Sequence, residues 1–398
     1  MNLQIEKLYR IARQTERRVI GLMSGTSLDG LDIALCRINN SGQETTLFLE
    51  NFITIPYNTV FRQYIRAIFA KRKIDQQLLC GLHAYIGKTH GELINQALNE
   101  WKISASDVDL IASHGQTIYH APQHLTGETN FPNSTLQIGD GDHIAHTTGV
   151  ITLSDFRQKH VAAGGEGAPL AAYGDFLLFT SDTENRFMLN IGGISNFTFL
   201  PKRGSNLKAY ATDLGPGNTM MNQFVYEQFR LEMDENAQIA KKGTINTALL
   251  DALLTSPFLR DAFPKTTGPE LFNLTYLKNA QSVSGTSILN PEDVLATLNK
   301  FAAQTITEGI KRVSKDVRNL HVYVSGGGMH NPLLMQNIVE ALPSISVSSF
   351  HDLGLNPDAK EACLFAVLAN ETIAGSPSNV QQIEDSPAIC MGKISFPY

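Results

Sequence analysis

RVIGLMSGTSLDGLDIALCRI, residues 18–38, is the stretch whose reading decides the fold. Val19–Met23 is a short apolar run that predicts a strand. Ser24-Gly25-Thr26-Ser27-Leu28-Asp29-Gly30 is a turn of small, hydroxyl-bearing and acidic residues. Leu31, Ile33 and Leu35 then alternate with Asp32, Ala34 and Cys36, so the chain leaves as a second strand. A Gly/Ser/Thr loop between two strands offers backbone N–H and hydroxyl donors, the groups that cradle a phosphate chain. No Gly-Lys-Ser/Thr follows, which excludes a Walker loop. A strand rather than a helix comes next, which excludes a dinucleotide fingerprint. On these residues alone an ordinary hairpin remains open.

Working outward, 398 residues predict two domains of ordinary size. The chain is 42% hydrophobic and 18% charged with a net charge of −6, and it has no basic block, so a nucleic-acid footprint is not supported. Cys36, Cys80, Cys363 and Cys390 are scattered without a CxxC pair, which argues against a zinc site and a disulfide framework. Residues 1–17 are charged throughout, unlike a secretory signal, and predict a small amphipathic helix. No run approaches the ~18 apolar residues of a spanning helix. The expectation is a soluble cytoplasmic enzyme without a membrane or nucleic-acid partner.

Residues 58–101 carry helical periodicity with a polar break. Val108–Ala112 predicts a strand running into Ser113-His114-Gly115-Gln116-Thr117. Leu136–Ile138 and Val150–Leu153 predict strands around a helical segment at 140–147. In SDFRQKHVAAGGEGAPL, residues 154–170, Gly164, Gly165, Gly167 and Pro169 between apolar segments suggest a loop shaped for close approach, or a hinge. Phe187–Leu200 is again strand, Gly192-Gly193 turn, strand. Two hairpins of one design suggest a duplicated architecture with nucleotide phosphates gripped by one loop from each half. Tyr210–Asn222 predicts a strand end, a Gly-Pro-Gly turn and a helix start. Asn290-Pro291 opens a helix, as does Asn331-Pro332 after the strand Val322–Val324 and the turn Ser325-Gly326-Gly327-Gly328. Residues 358–369 predict a last apolar helix carrying Glu361, and the Ser/Pro-rich tail from about Ala374 reads as irregular.

Hairpin loop, second hairpin loop and Gly-rich strand–helix turn, in that order, resemble the sugar-kinase, Hsp70 and actin superfamily. There these elements are two phosphate loops and an adenosine loop. GLMSGTSLDGLD, ASHGQTIYH, LQIGDGDHIA, DFRxxxVAAGGEGAPL, LNIGGISN, DLGPGN, KTTGPELFN and VSGGGMHN closely resemble the anhydro-N-acetylmuramic acid kinase family, from residue 19 to about residue 370. The resemblance implies an α/β, two-domain actin-like ATPase with a duplicated ribonuclease H-like fold and an interdomain active-site cleft. Its first domain would be residues 1–160 completed by 367–398, and its second 161–366. It implies ATP and Mg²⁺, the substrate 1,6-anhydro-N-acetylmuramic acid, a homodimer and a role in cell-wall recycling. In that reaction water opens the anhydro bridge and O6 receives the γ-phosphoryl group, so a carboxylate is needed near C1 to take the water's proton.

The resemblance assigns residues by matching motif. The nucleotide would be held by Ser24, Gly25, Thr26, Ser27, Leu28, Asp29, Gly30 and Leu31, by Gly192, Gly193 and Asn196, and by Gly326, Gly327, Gly328 and Asn331. Asp213 matches the catalytic base, although it could instead cap the helix after Gly217. Glu361 matches a second carboxylate near the sugar, or forms a structural ion pair. His114, Gln116, Arg157, Gly165, Gly167 and Asn218 would line the sugar. Arg157 suits a lactyl carboxylate but could equally brace its loop, and His114 could be structural. Asp29 and Asp32 would orient Mg²⁺ through water, with Asp32 alternatively a solvent-facing strand residue. The family usually reads DFRxxD, and here His160 stands at the last position. A kinase of an intact amino sugar and a nucleotide-gated protein without enzymatic activity are the rival readings.

Overall fold

The structure is a computed structural model that describes residues 2–398, and it divides into two compact units. Unit 1 runs to Phe179 and resumes at Asp358; unit 2 is Thr180–Pro357.

In unit 1 the strands are β1 (Glu16–Ser24), β2 (Gly30–Asn39), β3 (Thr46–Pro56), β4 (Leu110–Ala121), β5 (Ser134–Ile138) and β6 (Thr152–Ser154). β1, β2 and β3 form an antiparallel meander, and β4 and β6 follow β1 in parallel. β1 is apolar on both sides because both are covered. On one side Ile20, Leu22, Leu31, Ile33 and Leu35 meet Phe61 and Ile65 of the helix Thr59–Ile68 and Ile86 and Ile94 of the helix Gln76–Trp101. Asn58 and Asp75 cap these two helices through the N–H groups of Phe61 and Leu78. On the other side lies the helix Lys360–Ala374, so close that a Cβ on Gly21 would stand 1.9 Å from the Ala362 carbonyl oxygen.

Unit 2 repeats the design. β7 (Asn185–Ile191), β8 (Ile194–Leu200) and β9 (Tyr210–Pro216) form a meander, and β10 (Leu320–Ser325) and β11 (Ser346–Ser349) follow β7 in parallel. Its core joins Phe187, Leu189 and Phe197 to Leu298, Phe301 and Ile306 of the helix Pro291–Ser314. The strand order β3-β2-β1-β4-β6 is thus matched by β9-β8-β7-β10-β11. This is the duplicated α/β architecture expected of the actin-like ATPase fold.

Four expectations change. β4 continues through His114 and Gln116 to Ala121, since β5 pairs with its polar second half from Gln116 to Ala121. The tail is not wholly irregular: β12 (Lys393–Ser395) pairs with β6. The N-terminal helix stops at Arg13, because Glu16 already pairs with Asn39. The sequence reading divides the chain at 160/161 and 366/367, whereas the compact units divide after Phe179 and before Asp358. The helix Ala171–Phe179 packs on the helix Lys360–Ala374 through Gly174, where a Cβ would meet Leu364 at 2.3 Å, and the latter helix lies on β1. Among the described residues no helix is long and apolar enough to cross a membrane.

Candidate active site

The turn after β1 begins on a buried polar chain. Ser24 donates to Gln116 Oε1 at 2.6 Å and shares a hydrogen bond with the Tyr57 hydroxyl at 2.8 Å, which in turn meets His90 Nε2 at 2.9 Å. Gln116 Nε2 donates to the carbonyls of Gly25 and Thr117. Gln116 is therefore fully buried as a brace for the turn and presents no free amide to a ligand. Gly25 is half-buried, Thr26 and Ser27 are exposed, and Leu28 sits at φ 60° with its side chain in the core. A branched side chain in that left-handed conformation is strained, and its burial holds it there. Gly30 cannot be larger, since a Cβ would stand 2.6 Å from the Ile55 carbonyl oxygen. Leu31 is a buried sheet residue paired with Ser24 and Ile55, so only Gly25 to Asp29 form the open turn.

Asp29 is exposed and accepts from Ser27 Oγ and the Gly30 N–H. Asp32 is half-buried and accepts from Thr54 Oγ1; burial, with Asp29, Glu361 and Asp358 nearby, pushes its carboxyl up to about 6. Among the described residues no group of three His, Cys, Asp or Glu could hold a metal ion alone. Two carboxylates beside an open turn instead fit Mg²⁺, which keeps much of its water shell.

A second cluster in unit 1 gathers on β4 and the helix Phe156–Ala162. Arg157 donates from Nε to His114 Nε2 at 2.9 Å and from Nη1 to the Gly167 carbonyl at 2.7 Å. Arg157 does brace its loop, and its Nη2 has no partner among the described residues. Burial lowers its guanidinium to about 10, with Glu361 opposing. His114 is buried with Nδ1 unpartnered, and burial beside Arg157 holds its imidazole well below the usual range. Solvent reaches Glu361, yet protein crowds its carboxyl and raises it, against Arg157 and Lys360, which favour the charged form. Gly165 lies against the His160 ring, and Gly167, at φ 85°, lies against Thr135.

In unit 2 the turn between β7 and β8 is only Gly192-Gly193. Their carbonyls accept from the N–H groups of Gly217, Asn218 and Thr219 at 2.8–3.1 Å. Asp213 lies on β9 directly across from Asn196, which lies across from Asn190 on β7, so the three share one face of the sheet. Asp213 does not cap the following helix, whose N-cap is Asn218. Its Oδ2 accepts from the Thr267 N–H at 2.8 Å, and burial, with Glu270 nearby, pushes the carboxyl up to about 6. It is half-buried and ionised at neutral pH, a combination suited to a general base. Gly326 closes on Asn190: a Cβ there would stand 2.6 Å from Asn190 Oδ1, whereas at Gly327 it would meet only Asn218 Nδ2, at 3.8 Å. Gly328 packs on Ile191. Asn331 caps the helix Pro332–Ala341 through Leu334 N–H and accepts from Asn299, so its side chain serves the fold.

Sequence reasoning missed Asn190, Tyr57 and His90. Asn190 had a signal in its place beside Gly192-Gly193. His90 had none, because it occupies an apolar stripe with Ile86 and Ile94.

Comparison with known proteins bears on what this arrangement serves. Residues 17–395 match the family model described as anhydro-N-acetylmuramic acid kinase. The chain is 52% identical over 400 residues to the anhydro-N-acetylmuramic acid kinase of Pseudoalteromonas atlantica, covering 100% of both chains. It is 36% identical to the protein so named in Caldanaerobacter subterraneus, covering 98% of this chain and 100% of the relative. It is likewise 36% identical to one from Bacillus cereus, covering 95% and 99%.

Proposed function

Since the chain belongs to the anhydro-N-acetylmuramic acid kinase family, we propose that it opens the 1,6-anhydro bridge of 1,6-anhydro-N-acetylmuramic acid with water and transfers the γ-phosphoryl of ATP to the O6 so released. The observation that carries the assignment of the base is Asp213, a half-buried carboxylate on β9, held by one backbone N–H and raised to about 6. It takes the proton of the water as the water oxygen bonds to C1. The C1–O6 bond breaks, and O6 bonds to the γ-phosphorus as ADP leaves. Leaving group and phosphate acceptor are one atom, so bridge opening generates the nucleophile.

Arg157 offers its remaining Nη2 to the lactyl carboxylate, with its direction fixed by His114 and Gly167. His114, Glu361, Gly165 and Asn218 complete the sugar contacts in this reading. The N–H groups of residues 25–29 and the Gly192-Gly193 turn take the phosphates, and Gly326-Gly327-Gly328 admits the adenosine. Asp29 and Asp32 would hold Mg²⁺ through water, and the ion would supply charge neutralisation at the phosphates. The reading includes a cytoplasmic homodimer.

The test is ADP release with Mg-ATP and the anhydro sugar, beside N-acetylmuramic acid, N-acetylglucosamine and no sugar. ADP should form with the anhydro sugar alone. Asp213→Asn should lower kcat by about 10²–10⁴ with no loss of stability. A folded carboxyl raised from 3.8 to about 6 contributes stability that is present below pH 3.8 and lost as pH rises through 6, so its removal relieves a cost of order 1–3 kcal/mol at neutral pH. Equal turnover of an intact sugar would overturn the reading, as would an active Asp213→Asn.

A further inference from the structure

His160 has no part in the reaction described above, yet it is buried to 2% exposure beside the glycine-rich loop 164–169. Its Nδ1 accepts from the Gly167 N–H at 2.9 Å, and its backbone carbonyl accepts from the Gly165 N–H at 2.9 Å. The ring lies where a Cβ on Gly165 would be, 2.2 Å from both Cε1 and Nδ1, and it stands edge-on to Tyr173 at 5.7 Å. Because Nδ1 accepts, the proton is on Nε2, which is buried without a partner. Burial, with Arg157 one helical turn away, keeps the imidazole neutral, lowered to about 4. The carbonyl of the same Gly167 accepts from Arg157 Nη1.

From this geometry we infer that His160 is a positioning residue for the sugar. By holding the Gly167 N–H, it anchors the residue whose carbonyl orients the Arg157 guanidinium. The N–H lies in the planar 166–167 peptide and the carbonyl in the planar 167–168 peptide. The two meet at the Gly167 Cα, so a grip on the N–H anchors one side of the residue that carries the carbonyl. A side chain at 160 needs an acceptor at the place of Nδ1 and bulk against Gly165. Loss of the acceptor leaves a buried N–H unpaired and frees the loop by which Arg157 is directed. The inference rests on the proposed role of Arg157, while the grip itself is a separate fact that can be tested without any sugar.

The test compares His160→Asn, whose Oδ1 can occupy the place of Nδ1, with His160→Gln, whose Oε1 falls near that of Nε2, and with His160→Ala. Amide exchange of Gly167 in the absence of ligands should quicken by about tenfold or more in the Gln and Ala variants and stay near wild type in Asn. KM for the anhydro sugar should rise by about tenfold in Gln and Ala with KM for ATP unchanged, and Asn should restore it. Unchanged Gly167 exchange in His160→Ala, or an Asn variant as impaired as Ala, overturns the inference. Altered exchange with no change in sugar KM overturns the link to Arg157 and leaves the loop anchor. A wild-type protein that ignores the anhydro sugar breaks the functional reading instead, and the exchange data still decide the anchor.

Discussion

The turns β1–β2 and β7–β8 hold the same position in two sheets of the same strand order, and they are fixed by opposite means. The first is backed by side chains: Ser24, Tyr57, His90 and Gln116 form a buried chain beneath five residues with few backbone constraints. The second is backed by backbone: two glycine carbonyls accept the N–H groups of residues 217–219. A duplicated topology therefore does not duplicate its supports. Side-chain support leaves the turn's own N–H groups open, whereas backbone support makes the second turn a rigid floor continuous with the segment that carries Asp213.

The contrast extends to charge. Unit 1 supports its turn and loop with neutral imidazoles, His90 lowered to about 3 and His160 to about 4. Unit 2 presents a carboxyl raised to about 6. A depressed imidazole contributes stability that is present above pH 6.5 and lost as pH falls through its folded value. By pH 4 that loss is on the order of 3 kcal/mol for each of the two. Asp213 acts with the opposite sign, since its contribution returns as pH falls from 6 to 3.8. Asp32, also raised to about 6, offsets part of the loss in unit 1. Acid should therefore open unit 1 before unit 2. Amide exchange followed by mass spectrometry from pH 7 to pH 4, corrected for intrinsic rates, should show protection lost first around residues 82–98 and 154–170. Earlier loss around 187–200 would break the comparison.

Backbone support predicts intolerance of any side chain. A Cβ on Gly217 would stand 2.3 Å from the Gly192 carbonyl oxygen, a backbone atom that cannot swing away. Gly217→Ala should destabilise by ~1–3 kcal/mol, read as a lower urea midpoint at unchanged slope. Gly193→Ala meets Thr219 Oγ1 at 2.4 Å, a rotatable hydroxyl, and should cost less. The reverse order would mean that the floor is not rigid.

The difference in supports also explains what was legible in the sequence. Both hairpins, the duplicated order and the long helices were readable because alternation, caps and glycine turns are local signals, as with Asn290 capping the helix Pro291–Ser314. The role of Gln116 was not readable. Its motif points to a sugar contact, while pairing with β1 and β5 turns it inward onto Ser24, a long-range consequence that no window of sequence contains. Leu31, which the resemblance counts with the nucleotide loop, is a buried residue of the second strand, as the alternation of apolar residues predicts. Asp213 stood open in the sequence between a base and a helix cap. That it is no cap depends on the helix beginning only after Asn218 and on Thr267 supplying the N–H that its carboxylate accepts. His160, noticed only as a departure from the family's acid, has its place through Gly165 and Gly167.

The smallest expected change in stability is the sharpest probe of the first turn. Gly25 has no positive φ, and a Cβ there would meet only Ser27 Oγ, at 3.5 Å. Nothing in the fold requires a glycine, so Gly25→Ala should shift stability by less than about 0.5 kcal/mol. A glycine that the fold does not need is explained if a ligand must approach the backbone closely at that point. KM for ATP should then rise by about tenfold in Gly25→Ala, equivalent to ~1.4 kcal/mol, while KM for the sugar stays within about twofold. An unchanged ATP KM in a fully stable variant would mean that phosphate does not lie against residue 25. The open turn of unit 1 would then have lost its reason for being open, and the backbone-supported turn of unit 2 would be left as the main phosphate cradle.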